Sequence, residues 1–462
     1  MNTLIEGDTI AAISTPMGSG GIGIIRVSGP EAFATAKKLF RASLHTNEVE
    51  SSLIFDALPS HSLRHGYVVS HKTGETLDEC LFGKMAAPRT YTCEDVVEIN
   101  CHGGTAVMKS ILQELFSIGV RPAKPGEFTK RAFLNGRIDL AEAEGVMDTI
   151  NAETEQSHKA AAAQLDGRFS KELKDMRTKL TEAIGEIEVA LAYPEYEMDV
   201  PAFEHTKESL TEIIEKLEAL SKSYGRGRLL RDGLKVVIAG KPNAGKSSLL
   251  NRLTGYERAI VTDIPGTTRD IIEEFTEIDG YPVIFTDTAG LRESEDKIEM
   301  IGVDKAKKKI ADADLVFFVA DPFEKEPQQP ETKDCIVVIN KTDKASPEKI
   351  SDCKKFFDGW EILEISAANG NGVDALIDKI KEKFDSGKSG NDMLLTNARH
   401  KDLIDKSREA LQRGIDACQA GMPLDCITYD MWESAGFLGE IVGESVTEEV
   451  IDSIFERFCL GK

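Results

Sequence analysis

One stretch of this chain restricts its fold more than any other, an apolar run that leads directly into a phosphate-binding loop. The run is Val236–Ala239, and the following Gly240–Ser247 has the pattern G-x-x-x-x-G-K-S. Short apolar runs bounded by glycine are typical of buried strands. The two glycines allow successive backbone N–H groups to face a phosphate at a helix N-terminus. The stretch therefore predicts a P-loop nucleotide-binding domain.

The loop also carries the side chains that a nucleotide needs. Lys246 can reach the β- and γ-phosphates, so it is a candidate catalytic residue, and the Ser247 hydroxyl is placed to ligate Mg²⁺. The residues predicted to surround the phosphates are Asn243, Ala244, Gly245, Lys246, Ser247 and Ser248.

Further motifs lie at or just beyond the ends of apolar runs, where ligands of open α/β sheets bind. They are Asp287, Thr288, Ala289 and Gly290 after the run 283–285, Asn340, Lys341 and Asp343 after the run 336–339, and Ser366, Ala367 and Ala368 after the run 362–365. Because such runs alternate with helical segments between about 234 and 384, the sequence predicts a mostly parallel sheet.

The N-K-x-D motif at Asn340–Asp343 decides which base is bound. The Asp343 carboxylate can accept hydrogen bonds from N1–H and the 2-amino group of guanine, whereas adenine would leave it desolvated and unpaired. The backbone of Ser366–Ala368 can supply an N–H to guanine O6. The sequence therefore predicts GTP over ATP.

Two loops are predicted to respond to the γ-phosphate, the one that begins at Asp287 and one that precedes it in the sequence. In one, Asp287 would support Mg²⁺ and the Gly290 amide would sense the phosphate; in the other, Thr268 would ligate Mg²⁺. That other loop consists of Thr262, Asp263, Ile264, Pro265, Gly266, Thr267 and Thr268. Leu291 cannot orient an attacking water, which leaves nearby carboxylates as candidates: Glu293, Glu295, Asp296 and Glu299.

Composition limits what can surround this domain. A chain of 462 residues is expected to form about two to four domains. The net charge of −23 disfavours broad, sequence-independent binding to nucleic acid. There is no apolar run long enough for a membrane span, no basic signal region at the N-terminus, and no C-x-x-C pair among the eight cysteines. These features predict a reduced, cytoplasmic protein without stable membrane insertion.

Outside the nucleotide domain the pattern is first β-rich and then helical. Apolar runs at 22–27, 66–69 and 96–99 predict strands; Gly18, Gly20 and Gly23 fit G-x-G-x-x-G, but the β-type run that follows favours a flexible turn over a dinucleotide site. Residues 139–192 and 207–224 have long-helix composition. We interpret residues 225–228 as a hinge and residues 387–391 as a linker. Helical patterns continue after that linker, so the nucleotide domain is inserted between two helical halves.

These features together resemble the MnmE (TrmE) tRNA-modification GTPases over essentially the whole chain. The motifs that carry the resemblance are 240–248, Thr262–Arg269, Asp287–Arg292, Pro125–Phe128, Arg131–Asn135 and the C-terminal Phe458–Lys462. The resemblance implies a multidomain fold: an α/β P-loop G domain inserted into a helical domain, behind an N-terminal β-rich α+β folate-binding domain. The implied domains are 1–122 for folate binding and dimerisation, 123–228 and 387–462 for the helical domain with its Cys-x-Gly-Lys tail, and 229–386 for the Ras-like G domain.

The resemblance also implies an activity and partners. Family members are homodimers that work with the FAD-dependent protein MnmG (GidA) in a heterotetramer or larger assembly, and tRNA is bound mainly through that complex. The one-carbon donor is 5,10-methylene-tetrahydrofolate, with 5-formyl-tetrahydrofolate as an analogue. The product is an aminomethyl or carboxymethylaminomethyl group on C5 of the wobble uridine, U34. GTP hydrolysis in the family depends on K⁺ and Mg²⁺.

Family roles fall on matching positions of this chain. Asn243, Thr262, Ile264 and Thr267 match a K⁺ site, whose cation adds positive charge at the phosphates and promotes pairing of two G domains, and Glu299 matches the glutamate that orients the attacking water. The positions that match folate contacts are Arg26, Glu94, Arg137 and Lys462, of which Arg137 replaces a frequent Lys. Cys459 matches the family's reactive-looking cysteine, for which a catalytic role and a buried packing role both remain open.

A function of another class fits the nucleotide motifs alone, namely a regulatory GTPase switch in ribosome assembly without a modification role. Such proteins usually append a basic RNA-binding domain, and we find none in this acidic sequence. The N-terminal region and the C-terminal tail favour the modification enzyme.

Overall fold

The structure is a computed structural model that describes residues 7–192, 199–255, 273–287, 308–330, 332–385, 393–420, 422 and 424–462. The chain divides into two compact units. The first unit consists of Met1–Met147 with Val442–Lys462, and the second unit is Asp148–Ile441. The second unit contains the P-loop, and the first contains the N-terminal region and the C-terminal tail.

The N-terminal part combines a sheet with helices. Its elements are β1 (Ile10–Ile13), β2 (Ile22–Ser28), α1 (Ala32–Leu39), β3 (Phe40–Arg41), α2 (Glu48–Asp56), β4 (Ser62–Val69), β5 (Thr76–Met85), β6 (Val96–His102), α3 (Thr105–Ser117), β7 (Arg121–Pro122), α4 (Glu127–Leu134) and α5 (Leu140–Asn151). The strands form one sheet in the order β3-β4-β5-β6-β2-β1-β7. Neighbours pair antiparallel, apart from the parallel pair of β1 with β7.

The three strands predicted in this region are confirmed as parts of β2, β4 and β6. Along β2 the side chains alternate between the two faces of the sheet. Ile25 and Val27 lie in the core, whereas the partly buried Arg26 lies on the opposite face. Because a strand, β2, begins at Ile22 within the glycine pattern at 18–23 and no helix follows that pattern directly, the rejection of a dinucleotide turn there is also confirmed.

The long helical stretch is confirmed as helical but is divided. After α5 the chain forms α6 (Glu155–Leu165), α7 (Arg168–Ala192) and α8 (Asp199–Asp232). The sequence did not predict the break before α6, where Thr154 is the N-cap and its hydroxyl accepts a hydrogen bond from the Ser157 amide at 3.1 Å. A side chain that caps a new helix stabilises the interruption.

The predicted hinge at 225–228 is wrong, because α8 continues through it to Asp232. Gly227 has a packing role: a Cβ placed on it would lie 2.2 Å from the carbonyl oxygen of Leu395. A Cβ on Gly225 would have no neighbour within 4 Å. Glycine at 227 therefore permits close backbone approach, and the sequence pattern alone could not separate that role from flexibility.

The P-loop part of the second unit is an α/β sheet. Its elements are β8 (Leu234–Gly240), α9 (Lys246–Thr254), β9 (Glu273–Ile278), β10 (Tyr281–Asp287), β11 (Leu315–Ala320), β12 (Ile336–Ile339), α10 (Pro347–Phe356), β13 (Glu361–Glu364) and α11 (Val373–Asp385). The strand order is β13-β12-β11-β8-β10-β9, and every pair is parallel except β9 with β10. The predicted mostly parallel sheet is confirmed, with one antiparallel edge strand.

The chain ends in helices. These are α12 (Ala398–Gln419), α13 (Leu424–Val442) and α14 (Glu448–Phe455). In the first unit α14 packs on α4, where the rings of Phe133 and Phe455 lie 6.3 Å apart. The predicted multidomain class is therefore confirmed. Along the sequence, an N-terminal α+β region is followed by helical segments, between which an α/β domain with a P-loop is inserted. None of the helices in the described ranges combines the length and apolar character that crossing a bilayer requires.

Candidate functional site

The P-loop joins the end of β8 to the start of α9, and glycine is required at both ends of it. Gly240 has φ 136°, and a Cβ there would lie 2.3 Å from the Val319 carbonyl oxygen on the neighbouring strand. Gly245 has φ 96°, and its Cβ would lie 2.2 Å from Nδ2 of Asn340. Larger residues would disturb both the turn and its neighbours. The loop therefore adopts the tight curl that the motif predicts.

The two predicted phosphate and Mg²⁺ side chains are fixed within this turn. Lys246 is only 5% exposed, and its Nζ donates a hydrogen bond to the Lys241 carbonyl oxygen at 2.9 Å. The Ser247 hydroxyl donates to Oδ2 of the buried Asp287 at 3.1 Å, while Ser248 is exposed on α9. A hydroxyl and a carboxylate at hydrogen-bond distance are the oxygen groups that Mg²⁺ prefers.

Asn340 connects the P-loop to the loop after β13. Its Nδ2 donates to the carbonyl oxygen of the buried Ala244 at 2.9 Å, and its Oδ1 accepts from the Ala367 amide at 3.0 Å. The phosphate-binding and base-binding segments are thereby held in one geometry. The order of the motifs along the sheet makes this contact possible, since β12 and β13 are adjacent and parallel.

Lys341 forms a second connection to the P-loop. Its Nζ donates to the carbonyl oxygen of Asn243 at 2.7 Å and pairs with Asp321 at 2.7 Å. Asn243 itself has φ 62°, a conformation that asparagine tolerates better than most residues, and it is exposed at the tip of the loop. Asp321, which follows β11 directly, therefore helps to fix the lysine of the base motif.

Asp343 is exposed, as a base-recognising carboxylate must be, and its orientation is fixed by Ser366. The Ser366 hydroxyl donates to Oδ1 of Asp343 at 2.8 Å and accepts from the Asn369 amide at 3.2 Å. Ser366 is fully buried. One carboxylate oxygen is thus held by a rigid neighbour.

Sequence reasoning missed two residues of this site. Asp321 could have been found, because it follows a strand end as the recognised motifs do. Arg252 lies in the last turn of α9, outside any motif, yet it donates to the carbonyl oxygens of Ala367 at 3.3 Å and Ala368 at 2.7 Å. No local pattern marks an arginine that contacts only main chain far along the sequence.

Several predicted nucleotide-site residues lie outside the described residues, and their roles stay predictions. They are Thr262, Asp263, Ile264, Pro265, Gly266, Thr267, Thr268, Thr288, Ala289, Gly290, Glu293, Glu295, Asp296 and Glu299. Within the described ranges, no group of three or more His, Cys, Asp or Glu side chains is arranged to hold a metal ion.

In the first unit, two of the residues assigned to folate share one aromatic ring. The guanidinium carbon of Arg26 lies 5.6 Å from the centre of the Tyr91 ring, and that of Arg137 lies 4.8 Å from it. Arg26 also forms a 2.8 Å ion pair with Glu98, and Arg137 donates to the Tyr91 carbonyl oxygen at 3.1 Å. The fold therefore brings together two cations that are distant in the sequence.

Glu94, the carboxylate of that set, belongs to a charge cluster around the buried Arg131. It accepts from the Ser28 hydroxyl at 2.7 Å and pairs at 3.0 Å with Arg131, whose side chain is 1% exposed. Arg131 also pairs with Asp8 at 2.6 Å and Glu127 at 3.1 Å. Its Nε is buried without a partner among the described residues. We call Asp8, Glu94, Arg121, Glu127 and Arg131 the Arg131 cluster.

The pKa of Glu127 in this cluster is lowered. Burial by itself would raise the pKa of Glu127, but hydrogen bonds from Arg121, the Lys124 amide and Arg131 outweigh it and hold the pKa below its ordinary value of 4.5. The pKa of Asp8 is lowered in the same way, with burial opposed by Arg121 and Arg131. The cluster therefore favours the ionised forms of Asp8 and Glu127.

The C-terminal tail packs within the same unit. The Gly126 amide at the start of α4 donates to the Cys459 carbonyl oxygen at 3.3 Å, and the Ser14 hydroxyl donates to that of Gly461 at 3.0 Å. Lys462 is partly buried, whereas Cys459 is exposed with a free thiol. The alternative of a buried packing cysteine at 459 is wrong, and its accessibility leaves a chemical role open.

Two family models match the chain. The one described as the MnmE helical domain matches residues 140–459, and the one described as the GTP-binding protein TrmE N-terminus matches residues 9–137. Together they cover the nucleotide site and every member of the Arg131 cluster except Asp8.

Individual relatives agree with the family models. The tRNA modification GTPase MnmE of Acetivibrio thermocellus is 46% identical over 98% of this chain and 99% of its own length. That of Pediococcus pentosaceus is 42% identical over 99% of each chain. Among solved structures, the G domain of the FeoB iron transporter of T. maritima is 33% identical, covering 32% of this chain and 98% of its own, with a TM-score of 0.25.

Proposed function

The chain belongs to the MnmE family of tRNA modification GTPases, and from that premise we propose that it is a K⁺-dependent GTPase that acts with an FAD-dependent MnmG partner on wobble uridine U34 of certain tRNAs. The main support is the convergence of Lys246, Asp287, Asn340 and Asp343 on the carboxyl edge of the parallel strands of one mostly parallel sheet. Ligands of open α/β sheets bind at this edge. The predicted domains 1–122, 123–228, 229–386 and 387–462, the homodimer and a cytoplasmic location form part of the proposal.

In this proposal GTP is held at its guanine base and at its phosphates. Asp343 accepts from guanine, the loop around Ala367 donates to its O6, and Lys246 neutralises the β- and γ-phosphates. Ser247 and Thr268 would hold Mg²⁺, which neutralises charge on the transferred phosphoryl group. The 3.1 Å contact between Ser247 and Asp287 supports that assignment, since it provides oxygen donors on one side of the P-loop.

K⁺ would be held by Asn243 with Thr262, Ile264 and Thr267, and Glu299 would orient the attacking water. The exposed position of Asn243 in the P-loop supports this role, because an exposed side chain is accessible to a cation. The cation would supply positive charge near the phosphates that other GTPases obtain from an arginine.

The nucleotide part is tested by GTP hydrolysis in KCl and NaCl at equal ionic strength. We expect much faster turnover in K⁺, with a rate per molecule that rises with protein concentration as G domains pair. Asn243→Ala should remove the difference between the salts. Equal rates for the unmodified chain in both salts would contradict the K⁺ mechanism.

We propose that Arg26, Glu94, Arg137 and Lys462 bind 5,10-methylene-tetrahydrofolate, with Cys459 near the reaction. The donor set fits: Glu94 suits the pterin amino and N–H groups, and the arginines suit the glutamate carboxylates. The unpartnered Nε of Arg131, on the residue that pairs with Glu94, adds a donor that a polar ligand could satisfy. Folate would supply the one-carbon unit, and these residues would orient it.

The modification role is tested by mass spectrometry of bulk tRNA from a deletion strain. Absence of the C5 substituent on U34, with recovery by the intact gene and not by Arg26→Ala, would support the enzyme and its folate site together. Full modification of U34 in the deletion strain would contradict the proposal and return a regulatory switch in ribosome assembly as the explanation.

A further inference from the structure

We infer that Arg252 is a positioning residue for guanine recognition, which acts on Asp343 through the loop 366–369. The inference rests on GTP as the ligand and adds a residue outside the motifs that identified it. Arg252 lies in the last turn of α9, the helix whose first residue is Lys246. One helix thus carries a phosphate-binding residue at its start and a base-loop contact at its end.

The contact determines how two peptide groups are oriented. Nη2 of Arg252 donates to the Ala368 carbonyl oxygen at 2.7 Å, and Nε donates to that of Ala367 at 3.3 Å. In a trans peptide the carbonyl and the following N–H point in opposite directions. Holding the Ala368 carbonyl therefore directs the Asn369 N–H to the opposite side.

The Asn369 N–H meets Ser366 there. The Ser366 hydroxyl oxygen accepts it at 3.2 Å, and the same hydroxyl donates to Oδ1 of Asp343 at 2.8 Å. Since a hydroxyl has one proton, accepting from Asn369 leaves that proton directed at Asp343. A continuous relay therefore runs from Arg252 to the carboxylate that distinguishes guanine.

The relay matters because Asp343 is exposed. A free aspartate on the surface would lose rotamer freedom when it binds the base, which weakens binding. Ser366 orders it in advance, and Arg252 orders Ser366. Asn340 contacts the loop through the Ala367 amide, and two backbone hydrogen bonds, from the Ser366 amide to Asn371 and from the Gly370 amide to Ser366, close it. Arginine suits the contact at position 252 because its planar guanidinium group can donate to two neighbouring carbonyl oxygens, whereas lysine presents a single ammonium group.

The test compares guanosine and inosine diphosphates on the full chain. Inosine lacks the 2-amino group, so the affinity ratio of GDP to IDP reports how well Asp343 is placed. For Arg252→Ala we expect GDP release about 3- to 10-fold faster and a lower GDP-to-IDP ratio, with kcat for GTP retained at saturation and KM raised. Arg252→Lys should also show the lower ratio, because it keeps the charge and loses the fork.

Two further variants decide between positioning and general loosening. Arg413→Ala removes an exposed helical arginine that pairs with Asp430 and Glu433, and it should leave the ratio unchanged. Ser366→Ala interrupts the relay, so its effect on the ratio should not add to that of Arg252→Ala. An unchanged ratio in Arg252→Ala, or full additivity with Ser366→Ala, would overturn the inference. If Arg252→Ala does not fold, the ratio for Arg252→Lys decides by the same criterion.

Discussion

The nucleotide site and the Arg131 cluster hold their functional side chains by different means. At the nucleotide site the ties are largely to main chain: Lys246, Lys341 and Arg252 all donate to carbonyl oxygens. In the Arg131 cluster the contacts are mostly ion pairs between side chains, centred on an arginine that is 1% exposed. One site depends on backbone placement and the other on charge balance.

This difference determines how each region responds to change. A main-chain acceptor survives most substitutions around it, so such a site fails when the backbone moves. The Arg131 cluster is weakened when its buried arginine is lost, because the mostly buried Glu127 then keeps only part of its charge compensation, from Arg121. The two tryptophans, Trp360 and Trp432, both lie in the second unit, so their fluorescence reports that unit alone.

The largest expected effect comes from Arg131→Ala. It would leave Glu94 and Glu127 without their buried partner, and losing one member of a buried pair costs about 3–5 kcal/mol. We expect the free energy of opening that hydrogen–deuterium exchange reports for β2 and β6 to fall by about that amount. The urea unfolding midpoint of the second unit, followed by tryptophan fluorescence, should stay unchanged. Unchanged exchange in β2 and β6 would contradict a charge-held site.

Arg137→Ala is the matched control for that variant. Arg137 is exposed and contributes one hydrogen bond and a contact with the Tyr91 ring. Exposed contacts of a cation with an aromatic ring are worth about 0.5–1 kcal/mol. A small loss of stability in Arg137→Ala beside a large loss in Arg131→Ala would show that the effect depends on burial of the charge and not on the presence of an arginine alone.

A smaller effect is expected from acid, because a protonated carboxyl group can still accept a hydrogen bond from Arg131. The folded pKa of Glu127 lies below its ordinary value of 4.5. The stabilisation is therefore complete above about pH 4.5 and is lost as pH falls through the lower folded pKa. Exchange in the first unit, expressed relative to the intrinsic exchange rate at each pH, should increase over that interval, and Glu127→Gln should reduce this dependence. A pH-independent first unit below 4.5 would contradict it.

The same contrast explains how far the sequence could predict each site. The nucleotide motifs are contiguous and follow strands that become parallel neighbours, so their convergence could be inferred. Asp8, Glu94 and Arg131 are widely separated, and only the fold brings them together. Resemblance to a family identified Glu94, but no spacing rule indicated that Arg131 would neutralise it.

The structural role of a glycine could be predicted from the sequence only where a motif specified it. Gly240 and Gly245 could be interpreted correctly because the motif specifies their turn. Gly225 and Gly227 had no such motif, and a linker and a helix with one close contact look alike in sequence. The contact with Leu395 arises from a segment about 170 residues further along the chain, which local patterns cannot reveal.

The smallest expected effect, and the one that tests backbone placement directly, comes from alanine at these two glycines. Gly227→Ala places a Cβ 2.2 Å from the Leu395 carbonyl oxygen, and main chain cannot move aside as a side chain can. Such overpacking costs about 1–3 kcal/mol. Gly225→Ala meets nothing within 4 Å, so it should gain up to about 1 kcal/mol of helix propensity. Urea unfolding followed by tryptophan fluorescence measures both, and since a hinge would make the two substitutions alike, equal shifts would mean that backbone approach does not hold this unit together.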